Sequence, residues 1–328
     1  MEHQEPSGSD WIAAILDGPV LRVWRMSGRT AQDSAEMSLS EDTPNRAQLT
    51  DALTALVQPW RDAPPGDAPI PVLLSGYLAA QPATDWPTVP SLPLPAEPIT
   101  IPCADPRLHI RAVPGLRQTT PTPDLLCGAE TCLAGFLAYT PDFDGVACLP
   151  GNVSRWVRVS AGEIVSFRSF LTGGLHQALA DHSVLRHSLT AAPSAQDWDE
   201  TAFLATLDDA MAHPARLTAA LFGIRADGLQ SDLSPVTAQA RLAGRLLGAE
   251  LLAARPYWRD HPVAVLAPTA TARPYVAALT HLGPAPLLAD AAAMTRAGLD
   301  LARTGRSAPP RPTATGSPSA RPGTNRRN

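Results

Sequence analysis

One arrangement of strands and turns occurs twice in this sequence, and it limits the possible folds more than any other feature. Residues 11–16 (WIAAIL) form a short apolar run, Asp17-Gly18-Pro19 has turn chemistry, and residues 20–26 (VLRVWRM) alternate up to a second turn at Ser27-Gly28-Arg29. Near the middle, residues 145–149 (GVACL), 154–159 (SRWVRV) and 164–171 (IVSFRSFL) read as three strands joined by Pro150-Gly151-Asn152 and Ser160-Ala161-Gly162. An antiparallel hairpin unit thus stands near the start and again near the middle. A chain of 328 residues has room for about two domains, each with its own core.

Between and after these units the periodicity changes. Residues 46–60 place Leu49, Leu53 and Leu56 at helical spacing, and residues 71–75 (PVLLS) read as a buried strand ending at Gly76. Residues 81–123 are dense in proline and predict an extended excursion without regular structure. Residues 124–135 (DLLCGAETCLAG) open an apolar helix. Residues 174–187, 197–213 and 237–254 read as helices, 264–267 as a strand, 270–282 as a helix, 286–289 as a strand, and 290–302 as a last helix capped by Asp290. Strand and helix alternate, which predicts an α/β fold. Beyond Arg303 the sequence carries arginines, no acids and almost no large apolar residues, the composition of a disordered tail.

Composition excludes several classes. A net charge of −5 argues against a nucleic-acid binder, and no apolar run reaches the length of about 20 residues that a membrane span needs. Lysine is absent, so all 26 cationic side chains are arginine. Schiff-base chemistry on lysine is therefore excluded, and any anion must be held by arginine, backbone amides or metal. Cys103, Cys127, Cys132 and Cys148 lack paired spacing and no leader precedes the first strand, which predicts reduced thiols and a cytoplasmic protein. His176, His182 and His187 share a predicted helical stretch without a carboxylate spaced to complete a metal motif.

Several strings in order resemble the 2-dehydro-3-deoxygalactonokinase family of the sugar kinase, Hsc70 and actin superfold. They are PVLLSGYLAA after a buried strand, AVPGL (112–116), DLLCGAETCLAG, LPGNVSRWVRV (149–159), FLTGGLHQAL (170–179), RLLGAEL (245–251) and DAAAMTRAGLDLA (290–302). The resemblance implies two actin-like ATPase, or ribonuclease H-like, α/β domains with a cleft between them. They would cover residues 9–141 and 142–302, with 303–328 as the tail. It also implies transfer of the ATP γ-phosphate to the terminal hydroxyl of a six-carbon keto-deoxy sugar acid, with Mg2+ as cofactor. A homodimer is left open by the sequence.

The family's working parts align unevenly with this chain. Its first hairpin carries an acidic strand end and a hydroxyl-rich turn, where this chain has Asp17-Gly18-Pro19-Val20. Asp17 stands two residues past the usual metal carboxylate, on the same strand face; it is either an indirect magnesium ligand or a turn residue favouring the Asp-Gly bend. In the second hairpin Gly151, Asn152 and Ser154 can line a phosphate, with Arg155 supplying charge. The resemblance adds Gly18 and Thr269 on the nucleotide side, and Gly76 and Thr172 toward the sugar acid. Arg22 is either a clamp for the substrate carboxylate or a strand arginine covering apolar surface. The family's base aligns with Ala129, leaving Glu130, one residue on, as the replacement base or as a plain helix N-terminal acid. Thr172-Gly173-Gly174 and Ala267-Pro268-Thr269 also depart from the family strings. Three functional readings follow: a kinase, a fold that binds a sugar acid or a protein partner without transfer, or a structural or regulatory protein that associates through the two-domain body and the basic tail.

Overall fold

The computed structural model describes residues 10–40, 44–61, 69–189, 198–283 and 285–305. It opens on an antiparallel meander of β1 (Asp10–Asp17), β2 (Val20–Ser27) and β3 (Thr30–Ser38). The sequence reading stops at the turn before β3 because TAQDSAEMS is an edge strand with most side chains in water, so no apolar alternation marks it. Helix α1 (Arg46–Arg61) follows, then β4 (Ile70–Ser75), parallel to β1.

The proline-rich excursion is more regular than expected. It contributes β5 (Ile99–Ile101) and β6 (Leu108–Ala112) to the sheet, with β6 parallel to β4, and a small hairpin of β7 (Leu116–Gln118) and β8 (Asp124–Leu126). Its prolines flank these strands rather than interrupt them, so the ladder loses no N–H donor. The first sheet runs β3-β2-β1-β4-β6-β5.

Helix α2 (Ala129–Tyr139) leads into the second meander, β9 (Gly145–Leu149), β10 (Ser154–Ser160) and β11 (Glu163–Phe170). A helical insertion follows: α3 (Thr172–His182), α4 (Glu200–Ala212), α5 (Leu217–Gln230), α6 (Pro235–Ala253) and α7 (Arg255–Trp258). The helix expected over 174–187 ends at His182 and continues as a separate 3-10 turn, and α5 is a helix the spacing did not reveal. Strand β12 (Val263–Leu266), α8 (Thr269–Leu282), β13 (Leu287–Ala289) and α9 (Ala291–Thr304) complete the order, and the second sheet runs β11-β10-β9-β12-β13. Each sheet therefore contains the same unit, a meander whose first strand pairs in parallel with a later one.

Apolar faces set the layers. Leu49, Leu53 and Val57 of α1 pack on Ile12, Ala14 and Leu74 of the first sheet, and Leu299 of α9 joins Trp11, Ala13 and Leu73 on its opposite face. Leu133 and Phe136 of α2 pack on Ala147 and Val157 of the second sheet, while α4, α6 and α8 cover its other face. Helices α2 and α9 thus lie between the sheets, backbone against backbone. A Cβ on Gly135 would stand 1.9 Å from the Met294 carbonyl oxygen, and one on Gly298 would stand 1.9 Å from that of Thr131.

The expected boundary at 141/142 falls in the turn between α2 and β9. Residues 303–305, assigned to the tail, instead close α9 through Gly305, and the rest of the tail lies outside the described residues. Among the described residues, no helix is long and apolar enough to cross a membrane.

Candidate active site

Three chain segments meet at two glycines. Ile15 near the end of β1 pairs with Ser75 at the end of β4, and Gly76 follows with φ +91°. A Cβ at Gly76 would lie 2.1 Å from the Leu16 carbonyl oxygen, so only glycine permits this approach. Gly128, φ +90°, closes the junction from the α2 side: a Cβ there would come within 3.3 Å of the Gly76 Cα and 3.7 Å of the Ser75 Oγ. The strand ends of the first sheet and the start of α2 are thereby held together.

Glu130 stands in the first turn of α2 and is fully buried. Its Oε1 accepts hydrogen bonds from the Gly128 N–H at 2.9 Å and the Thr131 Oγ1 at 3.0 Å, whereas its Oε2 is buried without a partner. Burial pushes this carboxyl up to about 7, against the opposing pull of backbone N–H groups, Thr131 and the nearby Arg155 guanidinium. Ser75 Oγ and Arg155 Nε are also buried and unpartnered. A carboxylate oxygen, a hydroxyl and a guanidinium N–H are thus buried without hydrogen-bond partners at the ends of β4, α2 and β10.

The second hairpin faces the first. The Cβ position of Gly18 lies 3.3 Å from Asn152 Nδ2, which places the Asp17–Val20 turn against the turn before β10. The Asn152 carbonyl accepts the Gly174 N–H at 2.8 Å, and a Cβ at Gly173 would lie 2.2 Å from the Gly151 carbonyl oxygen, so the start of α3 is locked beneath that turn. From there a cavity of about 1460 Å³ extends along the second sheet, lined by Gly151, Thr172, Gly173, His176, Gln239, Thr269 and Tyr275, among others. Gly173→Ala is expected to push the turn and the start of α3 apart and to destabilise the fold by about 1–3 kcal/mol, because the obstructing Gly151 atom is backbone. Urea unfolding checks this, and an unchanged midpoint would mean that the turn has room to move.

The remaining residues singled out from sequence divide. Gly151, Thr172 and Thr269 line the cavity, and Ser154 is buried at the start of β10. Gly18 has φ +56° at the first position of a two-residue hairpin connection, and Asp17 is exposed beside it. Arg22 is paired with Glu36 across the β2–β3 ladder at 2.9 Å, so its charge is already engaged, and Arg155 is the cation felt by Glu130. Among the described residues, no group of three or more His, Cys, Asp or Glu side chains is placed to hold a metal.

Sequence reasoning missed Glu250. It lies on α6, 3% exposed, with Oε1 accepting from Trp156 Nε1 at 2.8 Å and Oε2 from the Tyr275 hydroxyl at 3.2 Å. Its signal was an acid on the apolar stripe of Leu246, Leu247 and Leu251, a position a carboxylate occupies only when hydrogen-bonded.

The sequence profile of the family described as 2-keto-3-deoxy-galactonokinase matches residues 19–302. A "Probable 2-dehydro-3-deoxygalactonokinase" of Rhizobium meliloti is 34% identical over 146 residues, 44% of this chain and 47% of that protein. The chain thus spans about half the length of this relative. A 2-dehydro-3-deoxygalactonokinase of Escherichia coli is 27% identical over 281 residues, 83% of this chain and 90% of its own. The crystal structure of a "putative 2-dehydro-3-deoxygalactonokinase protein" from Sinorhizobium meliloti superposes with a TM-score of 0.72 at 25% identity, covering 90% of this chain and 98% of that one. The α/β architecture of the actin-like ATPases, expected from the resemblance, is present.

Proposed function

Because the chain belongs to the 2-keto-3-deoxy-galactonokinase family, we propose that it transfers the γ-phosphate of ATP to the terminal hydroxyl of 2-dehydro-3-deoxygalactonate. The observation that carries this reading is the buried, unpartnered Oε2 of Glu130, on a carboxyl whose affinity for protons is poised near neutrality. A general base works best when its pKa lies near the operating pH.

Magnesium ATP supplies an activated phosphoryl group together with the cation that offsets its charge. The residues present fit it: the cavity is large enough for a nucleotide, and its glycine-lined end lies against the turn between β9 and β10. Gly18, Gly151, Asn152 and Thr269 would hold the nucleotide and its phosphates, Arg155 would add charge, and Asp17 would hold the cation through water. Glu130 would take the proton of the acceptor hydroxyl at Oε2, while Oε1 stays committed to the Gly128 N–H and keeps the side chain oriented. Gly76, held against the Leu16 carbonyl, would meet the sugar acid only through its backbone. Arg22 can clamp the substrate carboxylate only by releasing Glu36, an exposed pair whose exchange costs about 1 kcal/mol or less.

Binding without transfer is the second reading, and the β1–β2 turn favours it. Pro19 has no N–H, Val20 has no polar side chain, and Asp17 is exposed. Calorimetric titration with magnesium ATP and, separately, with 2-dehydro-3-deoxygalactonate tests the assignment. Binding of both ligands is expected; sugar-acid binding without nucleotide binding would support the second reading, and binding of neither would overturn both.

A further inference from the structure

We propose that Gln239 selects the purine of the nucleotide through its amide oxygen, with His176 as the positioning residue that holds the amide in that orientation, so that the site takes a 6-amino purine in preference to a 6-oxo purine. The inference rests on the kinase reading above and assigns the residues that choose the base.

The cavity changes character along its length. Gly151, Thr172 and Gly173 bound one end. His176 lines it one turn further along α3, about 6 Å beyond Thr172 on the helix axis, which is on the scale of the ribose between phosphate and base. Gln239 lines it from α6, and Ala243, Leu246 and Leu247 continue that wall at helical spacing. A mostly apolar wall with few convergent polar groups suits a flat heteroaromatic ring better than a polyhydroxylated sugar acid.

The two polar side chains meet with Gln239 Nε2 donating to His176 Nε2 at 3.0 Å. An amide NH2 can only donate, so His176 Nε2 carries no proton and the ring holds its proton at Nδ1. Burial lowers the proton affinity of His176, which keeps the ring neutral and Nε2 an acceptor. With the NH2 committed to His176, the oxygen is the group Gln239 has left to offer, and Oε1 is buried without a hydrogen-bond partner. An amide oxygen accepts from the 6-amino group of adenine, whereas a 6-oxo group would set acceptor against acceptor.

Calorimetric titration with the magnesium salts of ATP and inosine triphosphate tests this, because the two bases differ only at the 6-position and the adjacent N1 proton. Wild type is expected to bind ATP about tenfold or more tightly than inosine triphosphate. Gln239→Leu should bring the two affinities within about threefold by weakening ATP. His176→Phe should narrow the ratio from the other side. The released amide can turn its NH2 toward a 6-oxo group, so inosine triphosphate should bind about fivefold or more tightly than it does to wild type. Loss of structure alone would not produce that gain.

Equal affinities in wild type, a preference for inosine triphosphate, or a ratio unchanged in both variants would overturn the inference. If Gln239→Leu does not fold, His176→Phe decides, and unchanged affinity for inosine triphosphate there overturns it; the wild-type ratio needs no variant. A wild-type protein that binds neither triphosphate would instead sink the kinase reading, and this inference with it.

Discussion

Glu130→Gln is expected to lower turnover by about 10²–10⁴-fold while nucleotide and sugar-acid affinities stay within about twofold. Glutamine keeps the shape and can still accept the Gly128 N–H, but it cannot take a proton. In the wild type, activity should rise with pH to a plateau above about 7 as the Glu130 carboxyl ionises, and the variant should lack that limb. The same group shapes stability with the opposite sense. Its carboxyl binds protons more tightly folded than at its ordinary value of 4.5, so between about 4.5 and about 7 the folded state holds more protons. Stability from this group is therefore present below that window and lost as pH rises through it, by about 3 kcal/mol. Glu250, also pushed up by burial, adds a contribution of the same sign. Urea unfolding at pH 5 and pH 8 should show a smaller difference for Glu130→Gln than for wild type; an equal difference would mean that Glu130 is ionised throughout.

The largest effect on the fold is expected at Gly298. Alanine there would set its methyl carbon 1.9 Å from the Thr131 carbonyl oxygen, and the obstructing atom is backbone, which cannot rotate aside. Helices α2 and α9 must separate, opening the layer between the sheets. We expect a loss on the order of 3 kcal/mol, near the upper end for overpacking. Because α2 carries Glu130 in its first turn and the obstructing Thr131 beside it, Gly298→Ala should also depress turnover. Gly283→Ala is the control, since a Cβ there meets nothing within 4 Å, and thermal unfolding of the two variants makes the comparison. Equal melting temperatures would mean that the helices have room to part.

What could be read in advance follows from which faces are buried. The β1–β2 and β9–β10–β11 hairpins were legible because their turns use Asp-Gly, Pro-Gly and Ala-Gly chemistry and their strands have buried faces. β3 was not, because an exposed edge strand carries no hydrophobic pattern. β5 and β6 were hidden by the prolines beside them, although Leu108, Ile110 and Ala112 alternate inward. At the site, Glu130 was identified from its string, but its full burial and the split between one committed and one free oxygen depend on how β4 packs on α2. Arg22 illustrates the limit: its position after the first turn suggested a clamp, and the partner that engages it, Glu36, lies on the strand that was missed. Glu250 required knowing which face of α6 is inside.

The most direct test is a coupled ADP-release assay on purified protein given magnesium ATP and 2-dehydro-3-deoxygalactonate, run from pH 5 to pH 9 beside Glu130→Gln. Release that requires both ligands, rises through about pH 7 and is lost in the variant is the predicted result. Tight binding of both ligands with no ADP released at any pH would contradict it, and would mean that the buried carboxylate of Glu130 only caps its helix.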